Sequence, residues 1–220
     1  MFYRIEYSLE EKVTGIDDAQ SSSAIYPVNI WDPIYINQWG HTLIPDYVVL
    51  PIPKIKTKAN LTDLMSVFFT GSGGRLTISN RLKEILEKYS HGNIQFIPLT
   101  IYYKKKYLTN YWLTNILSFD NEKAINFNQS IISVGDSVVL SQNAIISINS
   151  YAEYKSILLK LKWPNNLLIE RVVFKKSVDE SICTLERVHS GDYFVSEKLK
   201  EEIELAGCTG IEFHPIEQCD

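Results

Sequence analysis

Residues 196–215 read Ser196-Glu-Lys-Leu-Lys-Glu-Glu-Ile-Glu-Leu-Ala-Gly-Cys-Thr-Gly-Ile-Glu-Phe-His-Pro215, and residues 79–98 read Ser79-Asn-Arg-Leu-Lys-Glu-Ile-Leu-Glu-Lys-Tyr-Ser-His-Gly-Asn-Ile-Gln-Phe-Ile-Pro98. The two stretches align without a gap, and the Ser, Leu-Lys-Glu, second Glu, Ile, Phe and Pro coincide. Each follows a short apolar run. The shared positions are those of a helix cap, a buried helix face and a strand, and they include no nucleophile, general base or metal ligand. The duplication therefore predicts a scaffold unit of strand, capped helix and strand.

Each copy starts its helix at a serine. The hydroxyls of Ser79 and Ser196 can accept the backbone N–H three residues further on, which stabilises a helix by ~1 kcal/mol. The first copy carries an apolar stripe with helical spacing, formed by Leu82, Ile85, Leu86 and Tyr89. In the second copy Glu202 stands in place of Ile85, so we expect that helix to be less fully covered. Gly92 and Gly207 suit the left-handed residue that ends a helix.

The fold class predicted from these patterns is α+β. We expect a mixed, largely antiparallel sheet or sheets, with two short capped helices from the internal strand–helix–strand duplication. Thirteen Tyr and frequent Ile favour strands. The 220 residues are sufficient for a sizeable core. We predict a single domain over 1–220, with two pseudo-repeated halves, about 1–125 and 126–220, as the alternative.

Turn signals place further elements. The triple lysine Lys104–Lys106 predicts the turn of a hairpin, and a second hairpin is expected over 137–148. Pro51 and Pro53 have no backbone N–H to donate to a neighbouring strand, so the strand around them is predicted to lie at a sheet edge. Asn60 or Thr62 could cap a short helix that ends near Ser66. Residues 9–23 read as a loop.

Composition limits the class of partner and the compartment. The net charge of −4 argues mildly against nucleic acid or acidic membranes as partners and is compatible with a basic protein. The three cysteines lack the spacing of a disulfide framework, which favours a reducing compartment. No apolar run approaches the ~20 residues that span a bilayer. The N-terminus alternates like a strand and is no secretory signal. We expect a soluble, cytoplasmic protein.

Candidate catalytic and cofactor motifs have plainer explanations. Gly71–Gly74 lacks the Lys-Ser/Thr ending of a phosphate loop and predicts a turn. Lys104–Lys106 with neighbouring tyrosines resembles a platform for single-stranded nucleic acid, but lysines at a hairpin tip explain the same residues. The four histidines show no metal-ligand spacing, and nothing marks Cys183, six residues before His189, as a reactive thiolate. We predict no catalytic residue, no metal and no cofactor.

The segment from Tyr26 to His41 is the least scaffold-like stretch. It is interrupted by prolines and carries aromatic, acidic and histidine side chains that we predict to contact a partner: Trp31, Asp32, Tyr35, Trp39 and His41. Tryptophan and tyrosine in an irregular segment are typical of interface hot spots. Buried aromatic residues beneath a long loop are the alternative.

The second-copy helix carries a second candidate contact surface, composed of four glutamates: Glu197, Glu201, Glu202 and Glu204. A metal site would need further ligands on a facing element, and the sequence specifies none. A solvated acidic face is the default, and such a face could also dock a basic partner.

The C-terminal sequence resembles that of a known protein family. Residues 195–215 fit the pattern V-S-E-x-L-K-x-x-I-x-x-A-G-x-T-G-I-x-F-x-P, the C-terminal signature of a bacterial immunity-protein family of polymorphic toxin systems. Thr62-Asp63-Leu64-Met65 resembles a motif that precedes the first copy in that family, and Tyr111–Ile116 resembles a segment that follows it. Asn126 stands where the family commonly has Asp. The resemblance covers roughly residues 60–218.

The resemblance implies a non-enzymatic inhibitor. Such a protein binds a cognate toxin, or effector, delivered by contact-dependent inhibition or by secretion systems, type VI secretion among them. The partner is then a toxin protein, basic by the charge argument, with no nucleic acid or membrane involved and with the oligomeric state open. Two alternatives remain at this point: an uncharacterised enzyme acting on a nucleotide or peptide, and a small nucleic-acid-binding regulatory module.

Overall fold

The structure, a computed structural model, describes residues 1–40, 42–73, 75–136, 143–188 and 192–219. The strands are β1 (Phe2–Tyr7), β2 (Ser21–Ile25), β3 (Ile52–Ile55), β4 (Leu64–Met65), β5 (Thr77–Ser79), β6 (Ile94–Tyr103), β7 (Lys106–Ile116), β8 (Ser118–Phe119), β9 (Ile131–Asp136), β10 (Ala144–Ile146), β11 (Asn165–Arg171), β12 (Phe174–Lys175), β13 (Ile182–Leu185), β14 (Tyr193–Ser196), β15 (Ile211–Ile216) and β16 (Gln218–Cys219). The helices are α1 (Glu11–Thr14), α2 (Asn80–Tyr89), α3 (Asn121–Ala124), α4 (Tyr151–Leu158) and α5 (Glu197–Leu205), with a 3-10 turn at Ile36–Gln38.

Mostly antiparallel pairing joins these strands into sheets, which confirms the predicted α+β class. A six-stranded sheet has the order β2-β3-β6-β7-β5-β4, and a five-stranded sheet has the order β15-β1-β14-β13-β8. Two smaller sheets are ordered β10-β9-β11 and β12-β16. Within the described residues, the parallel strand pairs are β3 with β6, β8 with β13 and β12 with β16.

Each copy of the repeat folds into a split β-α-β unit, in which a third strand lies between the two strands of the copy. In the first copy, β5 and β6 both pair with β7 in antiparallel fashion. In the second copy, β14 and β15 both pair with β1 in the same way. The predicted duplication of strand, helix and strand is therefore confirmed. In the first copy the inserted strand is β7, which follows β6 directly in the sequence. In the second copy it is β1, which is distant in sequence from β14 and β15.

Both helices begin at the predicted serine caps, and α5 also ends as predicted. The Ser79 hydroxyl accepts the Leu82 N–H at 3.2 Å, and the Ser196 hydroxyl accepts the Leu199 N–H at 3.3 Å. Gly207, with φ of 65°, follows the last residues of α5 in the left-handed conformation that costs glycine little, as predicted. Helix α2 ends differently: its C-cap residue, Ser90, is extended, and Gly92, with φ of 86°, lies in the turn beyond it. Local sequence thus determines where both helices begin, but a glycine ends only α5.

Helices α2 and α5 bury their apolar faces in one shared core. That core contains Leu82, Ile85 and Leu86 from α2 and Leu199 and Ile203 from α5, together with strand residues such as Ile78, Ile116, Tyr193 and Val195. Burying one such aliphatic side chain stabilises the fold by about 1.5–3 kcal/mol. Two further clusters lie under the C-terminal strands and under the segment that precedes β3. The two copies therefore stabilise each other.

Three local predictions are wrong. Strand β3 lies between β2 and β6, so β2 is the edge strand. Pro53 is tolerated because β3 meets β6 through a single pair, Lys54 with Tyr102. Residues 60–66 form no helix: the Thr62 hydroxyl donates to the Leu64 carbonyl and the chain enters β4. Residues 9–23, expected as a loop, contain α1 and the start of β2.

The hairpin between β6 and β7 is confirmed. Lys104 and Lys105 form its turn with φ of 46° and 65°. The second predicted hairpin falls largely on residues 137–142, which lie outside the described residues; β10 pairs with β9. The domain boundary near residue 125 stays a prediction, and any such boundary would have to group β1 with the C-terminal strands.

The Asp63 side chain links the two copies. Its carboxylate accepts hydrogen bonds from the Ser79 hydroxyl at 2.6 Å, from the Thr209 N–H at 2.8 Å and from two nitrogens of Arg81. Arg81 also donates to the Gly207 carbonyl, just after α5, at 3.1 Å. Burial alone raises the pKa of Asp63, but the hydrogen bonds from Arg81, Ser79 and Thr209 outweigh burial and lower that pKa overall. The buried charge is thus fully paired.

We predict that Asp63→Ala lowers the free energy of unfolding by about 2–4 kcal/mol, because it removes the carboxylate that pairs with Arg81 and leaves the Thr209 N–H without its acceptor. Urea denaturation measures this loss. Asp18→Ala is the matched control, because Asp18 bonds Lys56 at 2.8 Å in an exposed pair worth no more than ~1 kcal/mol. Equal losses in the two variants would contradict the linking role of Asp63.

Acid should weaken the same link. The pKa of Asp63 is lower in the folded state than in the unfolded chain, so the stability it contributes is fully present above the unfolded value of ~3.9 and is lost as pH falls further. The stability difference between wild type and Asp63→Asn should therefore be largest near pH 7 and shrink below about pH 4. Urea titrations of both proteins from pH 7 to pH 3 test this. A difference that is constant with pH would refute it.

Candidate functional site

The segment predicted to contact a partner runs irregularly over the third core cluster, and Tyr35 is its anchor. Tyr35 is fully buried, and its hydroxyl donates to the Thr70 carbonyl. Burial, with a smaller effect of Tyr26, raises the pKa of Tyr35 to about 12. The backbone at Tyr35 also bridges to Val49. In this fold Tyr35 supports the segment from below and presents no surface of its own.

Two other predicted contact residues, Asp32 and Trp39, are described by the structure and have different environments. The Asp32 carboxylate accepts the Ile34 N–H at 3.1 Å and so shapes the turn before Tyr35. Trp39 is half-buried and meets Tyr47 edge-on, with 6.2 Å between ring centroids. His41 lies outside the described residues.

A row of polar side chains holds the second half of this segment. Arg75, Asn115 and Gln95 donate to backbone carbonyls of residues 39–44, with Arg75 reaching Trp39 and Gly40 at 2.6 Å, Asn115 reaching Thr42 at 2.7 Å and Gln95 reaching Ile44 at 3.0 Å. Gln95 also accepts the Ile44 N–H at 2.8 Å. The side-chain amide of Gln95 therefore makes the two backbone hydrogen bonds that a neighbouring strand would otherwise make to Ile44. Arg75 is 6% exposed, and burial lowers its pKa. The loop is therefore positioned by side chains.

Above this row, the segment presents apolar side chains to solvent. Trp31 is 75% exposed, Leu43 64% and Tyr47 61%. The Trp31 backbone is held by the Asn29 side chain, whose oxygen accepts the Trp31 N–H at 3.0 Å. Large apolar side chains exposed on a positioned backbone are typical of protein–protein contact surfaces.

The glutamates of α5 divide into two groups. Glu202 accepts from the Tyr89 hydroxyl at 2.6 Å and pairs with Lys88 at 3.3 Å, and these contacts, Tyr89 first, lower its pKa. Glu202 therefore joins α5 to α2. Its three neighbours face outward: Glu204 pairs with Lys200 on its own helix, Glu197 lies 3.6 Å from the N-terminal amine, and Glu201 is exposed.

A groove of about 790 Å³ lies where the two split units meet, and we call it the seam groove. Its apolar lining includes Ile5, Leu64, Met65, Val67 and Leu76. Its carboxylates are Glu6, Glu10, Asp192 and Glu212. Arg75 also lines it, so the groove adjoins the polar row. These residues come from distant parts of the chain, and sequence reasoning did not bring them together.

The candidate reactive groups give no support to nucleophilic or metal chemistry. Cys183 is buried, and burial raises its pKa to about 12, so its sulfur is a thiol at neutral pH; Cys208 is raised to about 11. His189 lies outside the described residues. Within the described chain, no three His, Cys, Asp or Glu side chains are grouped to hold a metal ion. Gly71 and Gly73 form a turn, as predicted.

Sequence reasoning missed the polar row, although one signal was present. Thr114 and Asn115 interrupt an apolar run in β7, and both side chains are fully buried. Buried polar side chains need hydrogen-bond partners, so polar residues inside a central strand indicate a network.

No described helix has the length and apolar character needed to cross a membrane.

We predict that Gln95→Met loosens residues 42–44, because it removes both hydrogen bonds to Ile44 while keeping the side-chain volume. Amide exchange at Ile44 should accelerate by about tenfold or more, since each lost bond contributes about 0.5–1.5 kcal/mol. Asn80→Met is the control, because Asn80 bonds Glu84 on the exposed side of α2. Unchanged exchange at Ile44 would rule out positioning by Gln95.

Comparison with known proteins identifies the family. No curated protein matches this chain. The model of the Immunity protein family (Imm11) matches residues 2–218, which include both repeats, the irregular segment and the lining of the seam groove. The chain therefore belongs to the immunity protein family Imm11.

Proposed function

We propose that this protein binds a cognate bacterial toxin and neutralises it by protein–protein contact, without catalysis. Membership of the immunity protein family supports this function. The observation that carries it is the exposure of Trp31, Leu43 and Tyr47 on a segment whose backbone is held by side chains, by Asn29 at Trp31 and by the polar row at Trp39, Gly40, Thr42 and Ile44. In this proposal the protein acts in the cytoplasm as one domain. Its target is a toxin received from sibling cells or made in the same cell.

The main contact surface in this proposal is the segment from Trp31 to Tyr47. Trp31 is the anchor, because a tryptophan ring buries a large area and loses few rotamers on binding. Trp39 and Tyr47 widen the apolar patch, and Asp32 and Tyr35 act indirectly by shaping and anchoring the backbone. The ordered segment lowers the entropy cost of association, since the backbone is already held by side chains.

The outward glutamates of α5 form the second surface. Glu197, Glu201 and Glu204 are exposed or nearly so, and their charges would accelerate the approach of a basic toxin. Rim charges of this kind change association rates more than affinity. Glu202 contributes through the α2–α5 contact.

The test uses the toxin encoded beside this gene. Co-expression of the wild-type protein should allow growth of cells that make the toxin, and the two proteins should co-purify. Trp31→Ala should raise the Kd about 30-fold, the effect of a hot spot of about 2 kcal/mol, and should abolish protection at low expression.

Trp163→Ala is the matched control, because Trp163 is equally exposed, at 84%, and lies outside the proposed surface. It should bind and protect like wild type. If toxin-producing cells die although they contain folded wild-type protein, and the two proteins form no complex, the proposed function is rejected. Equal effects of the two tryptophan variants would reject Trp31 as the anchor.

A further inference from the structure

The seam groove combines an apolar floor with exposed apolar flanks. Ile5 comes from β1 of the second unit, while Leu64 lies on β4, which pairs with β5 of the first unit, and Leu76 directly precedes β5, so the floor exists only when the two units are packed. Leu9 and Phe68 flank the groove and are 51% and 50% exposed. Apolar side chains exposed around a concave surface are typical of a docking site.

The rim of the groove carries an unfavourable pair of charges. Glu6 on β1 and Glu212 on β15 stand directly opposite each other in the antiparallel ladder. Like charges in opposed positions destabilise a sheet. His214 Nε2 lies 3.3 Å from Glu6 and 3.9 Å from Glu212, and Arg4 bonds Glu6 at 2.8 Å. The position therefore favours a cation over any anion.

The lining carboxylates outnumber the lining cations. Glu10 and Asp192 extend the acidic rim, and the lining cation among the described residues is Arg75, whose guanidinium donates to Asn115 and to backbone carbonyls. Behind the rim, Arg4 lies 3.9 Å from Asp192, and Lys12 pairs with Glu10 at 2.8 Å. Lys12 is 79% exposed, and such exposed pairs contribute little and exchange readily with an incoming cation.

From this arrangement we propose that the seam groove receives a segment of the cognate toxin that carries a lysine or arginine beside apolar side chains. The cationic head lies at the Glu6–Glu212 pair, and its aliphatic stem and apolar neighbours lie on the floor between Leu9 and Phe68. Long cationic side chains suit such a groove because the stem is apolar and the head is charged. This inference rests on the proposed function and names the part of the toxin that is recognised.

The groove and the Trp31–Tyr47 surface are connected. Arg75 lines the groove and also donates hydrogen bonds to the carbonyls of Trp39 and Gly40. A toxin that reached both would contact an acidic cleft and an aromatic segment that share Arg75 as a support. This continuity favours a toxin over an unrelated peptide as the occupant.

The experiment measures binding of the toxin encoded by the neighbouring gene to full-length variants by surface plasmon resonance at several salt concentrations. Glu212→Lys should lower the association rate at least tenfold at low salt and flatten its salt dependence. Phe68→Ala should raise the dissociation rate about tenfold. Glu212→Gln is the milder variant and should show an intermediate loss.

The matched controls are Glu217→Lys and Tyr107→Ala. Glu217 is exposed and pairs with Arg171 outside the groove, and Tyr107 is 60% exposed on β7. Both should bind like wild type, and thermal melts should show that all variants are folded. If the wild type binds the toxin and the groove variants bind it equally well, the groove site is overturned while the proposed function stands. Failure of the folded wild type to bind would overturn both.

Discussion

The buried carboxylate of Asp63 is the interaction on which this architecture depends. It lies between the serine that caps α2 and the chain that leaves α5, and its charge is balanced by Arg81, which also reaches the carbonyl of Gly207. A buried carboxylate without these donors would be strongly unfavourable. The two split units must therefore dock with the geometry that satisfies it, and the same docking sets the width of the seam groove.

The repeated units were predictable because their signals are local. A capping serine and an apolar stripe act within a few residues and determine α2 and α5, and a terminal glycine also ends α5. The strand inserted into each unit was not predictable, since β1 reaches β14 and β15 through pairing that no local pattern encodes. Glu202 illustrates the same limit: its departure from the apolar stripe looked like an exposed end, but Tyr89 and Lys88 of the other copy bind it.

The candidate contact surface was predictable only in outline. Aromatic residues in a proline-interrupted segment indicated where to look, but composition cannot distinguish Trp31, which faces solvent, from Tyr35, which lies in the core. That difference arises from contacts of the folded chain: the Asn29 side chain holds the Trp31 backbone, whereas the Tyr35 hydroxyl donates to the Thr70 carbonyl. The groove was invisible in sequence for a similar reason, because Glu6, Phe68, Asp192 and Glu212 meet only after the units pack.

The central position of β1 has a consequence for synthesis of the protein. Because β1 lies between β14 and β15, a strand at residues 2–7 is flanked by two strands that follow it only at residues 193–196 and 211–216. The five-stranded sheet cannot form on the ribosome until residue 216 has emerged, and its closure brings together residues from opposite ends of the described sequence, which is slow for such non-local pairing. A nascent or truncated chain lacks one wall of the groove. Under the proposed function, protection of a cell should therefore begin only after β15 has been made and has paired with β1.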